Sequence, residues 1–446
     1  MQEQSRKKLQ RIVCAAGLAL LALLFVLWLR NGRCTGSAEL AAALGCALLF
    51  AAACLRFVPR WTAFWFGEQG ETIEERGKLP LALLFALGLL CGLLHLGAVW
   101  LVLRYVNHGL TAESYKQFWT SDDAYHYLCI ARDWYLSEGS VDRVVQLVFL
   151  PGYPLAVRLM HVLVRDWIAA GMLVSTLSFS GALCVFYRLA RLDLDEETTR
   201  FALAFLCLMP GAFFFFAPMS EGLFLLLCVS CVYCARKERW LLAGLFGALA
   251  SFTRSLGLML FVPLFFEIVR RLLHGEKQAW RGLSALLLVP LGFAGYCFVN
   301  ALVAGDPFRF LVYQREHWNQ QLGLFFNTAA YQTRYALAAA ARGQRELLLG
   351  LWLPNLAAVF AVPATLFAAG KRLRASDTAW ALAYYVIAVG ATWLLSAPRY
   401  MAALPPLPLA LAQCSENRWG RAALLCLFTL AELYYLVMFA LRYQVW

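Results

Sequence analysis

Charge is what this chain lacks most. Only 15% of its 446 residues are Asp, Glu, Lys or Arg, whereas 62% are hydrophobic and the mean hydropathy is +0.64. Soluble globular domains carry about 25% charged residues, so that class is excluded. No disulfide framework can be read either. The 14 cysteines lie mostly inside apolar runs, where a thiol behaves as a small hydrophobe. Cys228, Cys231 and Cys234 recur every three residues without histidine partners, which argues against a metal site. An Asn-x-Ser/Thr sequon is missing throughout, which favours a bacterial plasma membrane over the endoplasmic reticulum. There is no solenoid repeat and no low-complexity segment.

What fills the chain instead is apolar runs, many of them near 18 residues or longer. At about 1.5 Å per residue such a run crosses a bilayer core of about 30 Å. The expected fold is all-α: a polytopic integral membrane protein with about thirteen transmembrane helices. They cover 12–29, 38–55, 80–104, 167–189, 201–217, 219–235, 240–253, 256–269, 282–303, 348–369, 378–396, 399–414 and 422–441. Arg6, Lys7, Lys8 and Arg11 precede the first run, which is longer than a signal-peptide core and lacks a cleavage site, so it reads as a retained helix. With that end inside, 23 of the 39 Lys and Arg residues fall on inner loops and ends, which are also the shorter ones. Membrane orientation and anionic lipid thus account for the net charge of +12, and nucleic acid is not an expected partner.

Orientation also decides an ambiguous stretch. Pro154 to Trp167 could pass for a span, but as a helix it is only about 21 Å long and carries Arg158, His161 and Arg165 on one face. Counting it as a span would send Arg188/Arg191, Arg236/Lys237/Arg239 and Arg270/Arg271 outside. It is therefore expected to lie on the outer surface with its basic face wet, making 106–166 one large first external loop of amphipathic helices. A second external segment runs over 304–347, with a turn at Gly305-Asp306-Pro307 and a polar stretch from Gln314 to Gln321. The chain divides into N-terminal helices and an inner loop (1–79), a membrane domain bearing both external loops (80–414) and a last helix (415–446).

The residues suited to chemistry begin at Phe118. Ser121 is followed by the paired acids Asp122 and Asp123, then by helical spacing that puts Tyr127, Ile130, Ala131 and Trp134 on one face and Asp122, His126, Cys129 and Asp133 on another. Ser121 suits an N-cap, and acids in a first turn favour the helix dipole. Two acids beside an aromatic membrane surface, with no basic neighbour in sequence, go beyond that need. A carboxylate there could take the proton of an attacking hydroxyl. The segment closes on Phe149-Leu150-Pro151-Gly152-Tyr153-Pro154, which no continuous helix can cross.

Farther on, Glu221 follows Ser220 at a helix mouth, as a dipole partner or an orienting group. Arg254 and Arg399 stand at outer helix ends, where a bare arginine is expensive unless it snorkels, pairs or binds an anion. His126 and His317 could bond a sugar or phosphate. Trp119, Trp134 and Trp318 could stack on a sugar ring, although tryptophan also belongs at membrane interfaces. Glu267 and Glu432, inside apolar runs, are expected to pair within the bundle.

The order of these elements resembles a known family. An acid segment in a first external loop is followed by a Phe-x-Pro-x-Tyr-Pro element and by Ser220-Glu221 after an apolar run. Ala250 to Ser255 with Gly257 comes next, and then Arg399-Tyr400 followed by prolines. Over about 80–412 this is similar to the PIG-V-like mannosyltransferases, relatives of the enzyme adding the second mannose of GPI anchors, within the GT-C glycosyltransferases. The resemblance implies a GT-C-type helical bundle. It also implies inverting transfer of a hexose, usually mannose, from a polyprenyl-phosphate donor to a lipid or glycan acceptor at the outer face. By position it assigns Asp122 or Asp123 as the loop acid, with Glu221 and Arg254 as further family residues. Arg399, Tyr400, His126 and Tyr153 are the remaining candidates for substrate contact. No cofactor is called for, and a divalent ion near the paired aspartates stays open. The competing class is a transporter or flippase of lipid-linked sugars, which would gather its ionisable groups at mid-membrane.

Overall fold

The computed structural model describes residues 3–32, 34, 36–67, 79–135 and 145–445. The expected first external loop therefore includes a stretch, 136–144, that lies outside the described residues. Among the described residues the chain is helical, with one isolated bridge between Leu322 and Ala391. Seven helical stretches are long and apolar enough to cross a membrane: Glu3–Arg30, Ser37–Phe66, Leu81–Val106, Trp167–Ala190, Lys277–Ala304, Leu347–Ala369 and Arg418–Ala440.

In chain order, α1 (Glu3–Arg30), α2 (Ser37–Phe66) and α3 (Leu81–Val106) lead to three shorter helices, α4 (Ala112–Phe118), α5 (Asp123–Asp133) and α6 (Gly152–Val164). The bundle continues with α7 (Trp167–Ala190), α8 (Glu196–Leu208), α9 (Glu221–Arg236), α10 (Trp240–Thr253), α11 (Phe261–Leu273) and α12 (Leu283–Ala304). After α13 (Arg309–Trp318) and α14 (Phe325–Ala341) come α15 (Leu353–Ala369), α16 (Ala375–Val389), α17 (Ala397–Ala402), α18 (Pro406–Gln413) and α19 (Arg418–Ala440). Each of the thirteen apolar runs is thus helical, but six fold as shorter or interrupted helices. The interruptions have local causes. Pro210 and Gly211, the latter at φ +93°, end α8, and Pro405 and Pro406 divide the run over 399–414.

The surface matches hydrocarbon. Leu93, Leu94 and Leu101 on α3 and Leu287, Leu291 and Leu302 on α12 are each more than half exposed. Such patches would drive aggregation in water and cost nothing against lipid. Without a hydrophobic drive between helices, close backbone approach does the packing. A Cβ on Gly292 of α12 would lie 1.8 Å from the Ala248 carbonyl oxygen of α10.

Both intramembrane acids are paired. Glu267 takes a two-pronged bond from Arg374 (2.7 and 2.9 Å) and the Ser376 hydroxyl (2.7 Å). Arg374 also reaches Asp193, which is forked by Arg236, so α11, α16 and the ends of α7 and α9 are tied together. Glu432 of α19 accepts the N–H groups of Gly211 and Phe213 (2.6 and 3.1 Å) and lies 3.3 Å from His95 Nε2.

One expectation changes. α6 is too short to be a candidate span, as expected, but its basic face is only partly wet: Arg165 is exposed, whereas Arg158 and His161 are engaged. The Tyr153 hydroxyl at its start bonds Gly171 O and Ser175 Oγ (both 2.9 Å), while His161 near its end stacks on Trp167 (3.6 Å), so α6 runs antiparallel along the first half of α7. Arg158 donates to the Ala131 and Arg132 carbonyls, capping the end of α5. The exposed face is the apolar one, Leu159, Val162 and Leu163.

Candidate active site

The site is built where interrupted helices end together. At the start of α5, Asp122 has φ +57° and ψ −136°, the conformation of the glycine position in a type II′ turn, which the Ala124 N–H closes onto Ser121 O at 3.2 Å. Ser121 does not cap α5. Its hydroxyl donates to Phe118 O (3.3 Å), and Asp122 holds the N-cap position without a side-chain bond. The turn sends Asp123, the first helical residue, inward to an ion pair with Arg399, leaving 28% of the Asp123 side chain exposed.

Behind Asp123 the charges alternate. Arg399 of α17 is 4% exposed, with Nε 2.8 Å from Glu221 Oε1. Its guanidinium lies over Phe214 (5.4 Å) and Tyr400 (5.8 Å). Glu221 opens α9 and is 1% exposed; the same Oε1 pairs with Arg254, just past α10. Arg254 also donates to Ser220 Oγ (2.9 Å) and sits over Tyr400 (5.1 Å). The Tyr127 hydroxyl meets Ser220 Oγ at 3.0 Å. Asp123, Arg399, Glu221 and Arg254 thus form one row, net neutral, drawn from four distant segments. Arg399 Nε meets Glu221 Oε1 off the hydrogen-bond line, and Glu221 Oε2, buried within the row, has no hydrogen-bond partner. Such an atom is rare in a folded interior and calls for an explanation.

The two aspartates differ electrostatically. Burial would raise Asp123, but the charge and hydrogen bond of Arg399 outweigh it and hold the carboxyl below its ordinary value. Asp122 is raised, chiefly by burial, with Arg442 opposing at 3.8 Å.

The other candidates take different places. Tyr400 is half-buried and flanks both arginines. His126, one turn along α5 from Asp123, stacks on Phe149 (4.8 Å), and Trp318 of α13 closes the edge of that pair at 6.4 and 6.0 Å. His317 neighbours Tyr313 and Trp318. Tyr153 is fully buried, and its two bonds to α7 make it an anchor beneath the site. Trp119 is buried against Phe439, whereas Trp134 lies under Arg158 (5.8 Å). The sequence reading missed Phe214, Arg442 and the Tyr127 hydroxyl, since only three-dimensional contact joins them to the acids. Among the described residues no three His, Cys, Asp or Glu side chains are grouped to hold a metal.

A cavity of about 440 Å³, lined by Pro398 and Met401 of α17 but not by Arg399 itself, is bounded also by Met209, Pro210, Tyr434 and Tyr435 and is almost wholly apolar. Compared with family models, with curated proteins and with solved structures, the chain matches none.

Proposed function

We propose that this chain is a membrane glycosyltransferase with a GT-C-type bundle of about thirteen spans. It moves a hexose, mannose by the resemblance, from a polyprenyl-phosphate carrier to an acceptor hydroxyl at the outer face with inversion. The observation that carries the reading is the row Asp123–Arg399–Glu221–Arg254. Arg399, Glu221 and Arg254 are buried, the Asp123 end is part-exposed, and Glu221 Oε2 at the centre has no hydrogen-bond partner.

Each part has a chemical task. Arg399 and Arg254 neutralise a phosphate that departs as an anion and so needs cations more than a proton. Glu221 Oε2 accepts a hydroxyl of the sugar. The neighbouring apolar cavity takes the start of the isoprenoid chain. Asp123, the row's open end, takes the acceptor proton as the acceptor oxygen bonds to the anomeric carbon and the carbon–phosphate-oxygen bond breaks. Asp122 shapes the turn that aims Asp123. Ionisable groups at outer helix ends fit an interfacial enzyme better than a transporter.

The test uses purified protein in lipid nanodiscs with polyprenyl-phosphate mannose or glucose and a set of glycan and lipid acceptors. Release of free polyprenyl phosphate by wild type and its loss in Asp123→Asn are expected. Full turnover in Asp123→Asn would defeat the base assignment, and no turnover of any donor would defeat the reading.

A further inference from the structure

The residues that follow α19 fold back onto the outer face and reach the acidic turn. Arg442 Nη1 donates to Ser121 Oγ (2.5 Å) and Nη2 to Phe118 O (2.9 Å). Its guanidinium lies 4.0 Å over the Phe118 ring and 3.8 Å from Asp122. Arg442 is itself fixed. Its N–H bonds Phe439 O (3.0 Å), the Tyr443 N–H bonds Met438 O (2.9 Å), and Phe439 packs on Phe118 and Trp119 at 5.3 and 5.7 Å. The following backbone is pressed against Gly350, where a Cβ would lie 1.4 Å from Tyr443 O.

This clamp closes on a strained element. Asp122 occupies a backbone region that glycine enters freely and other residues resist. Neither its own side chain nor Ser121 caps the helix that follows. The turn therefore needs an outside hold, and Arg442 touches three of its members: a carbonyl, a hydroxyl and a carboxylate.

We propose that Arg442 is a positioning residue: it holds the Phe118–Asp122 turn in its strained form and thereby aims Asp123 at Arg399. It touches neither donor nor acceptor. The proposal rests on the glycosyltransferase reading for its effect on turnover but not for its effect on the turn.

The experiment compares wild type, Arg442→Gln, Asp122→Gly and the double variant in nanodiscs. Thermal unfolding, deuterium exchange of 118–125, kcat and KM are followed. Arg442→Gln is expected to raise exchange at the Ala124 and Tyr125 amides and to lower kcat about 100-fold, the scale of an ångström-sized misplacement, with KM little changed. The double variant should regain most of both, because glycine holds the turn without help. Unchanged exchange in Arg442→Gln, or a loss that glycine at 122 does not repair, overturns the proposal. If wild type turns over no donor, the functional reading fails, and the exchange measurements alone judge the clamp.

Discussion

Arg254 and Arg399 converge on a single oxygen of Glu221, Oε1, and leave its partner oxygen unbonded. That carboxylate is the only acid of the row that meets both cations; Asp123 meets Arg399 alone. Glu221→Gln should be the most damaging single change in the row. Stranding a buried charge costs about 3–5 kcal/mol; here Arg254 is stranded, while Arg399 keeps Asp123. Thermal unfolding in nanodiscs should show a large loss for Glu221→Gln. Adding Arg254→Met should recover part of it, a coupling that a double-mutant cycle reads directly.

Asp123 and Asp122 should separate cleanly. Removing a positioned general base typically costs about 10²–10⁴-fold in rate, so Asp123→Asn should fall in that range, whereas Asp122→Asn should stay within about tenfold of wild type. Release of polyprenyl phosphate is the measurement. Equal losses in the two variants would contradict the geometry that turns one acid inward and leaves the other on the turn.

The pH dependence follows from the opposite shifts of the pair. Asp123 is lowered, so its contribution to stability is present above the unfolded value of about 3.9 and is lost as pH falls through its folded value. Asp122 is raised, so its contribution is present at low pH and is lost as pH rises through its folded value. For turnover, the acid limb of kcat/KM should lie below the ordinary carboxylate range. That of kcat should lie higher, because bound phosphate shares Arg399 and weakens its hold on Asp123. Superimposed limbs would count against a phosphate beside Arg399.

The Arg374–Glu267 tie should matter to stability and not to chemistry. Arg374→Ala strands Glu267, with a cost of about 3–5 kcal/mol and no change in KM for the donor. Arg374→Ala together with Glu267→Leu should regain much of the loss. A specific fall in donor affinity would place this cluster in the reaction path instead.

Much of this could be read before folding was considered. The hydrophobic runs mark the bundle helices, because burial in lipid and helical hydrogen bonding act over local sequence; they do not mark α4, α13 or α14, the last of which packs its Phe325 and Phe326 into the core from within the segment 304–347. The acids at 122, 123 and 221 and the arginines at 254 and 399 stood out because charge is costly in apolar surroundings. What could not be read was pairing. Nothing local says that Arg399 lies between Asp123 and Glu221, residues 276 and 178 positions away in the chain. At α6 the reason is related: Arg158 looks like a solvated cation until the free carbonyls at the end of α5 are seen beside it. Ser121 has the position of a cap, yet its hydroxyl turns back to Phe118 and receives Arg442, more than 300 residues on.

The depth of the charged row has a consequence for ionic strength. Arg399, Glu221 and Arg254 are each less than a tenth exposed, so bulk salt screens their attraction only weakly. Arg442 and Asp122 stand half in water, within reach of the same ions. Brine would then loosen the outer hinge of the machinery while its interior stays locked, and the two halves would respond differently to a medium that touches just one of them.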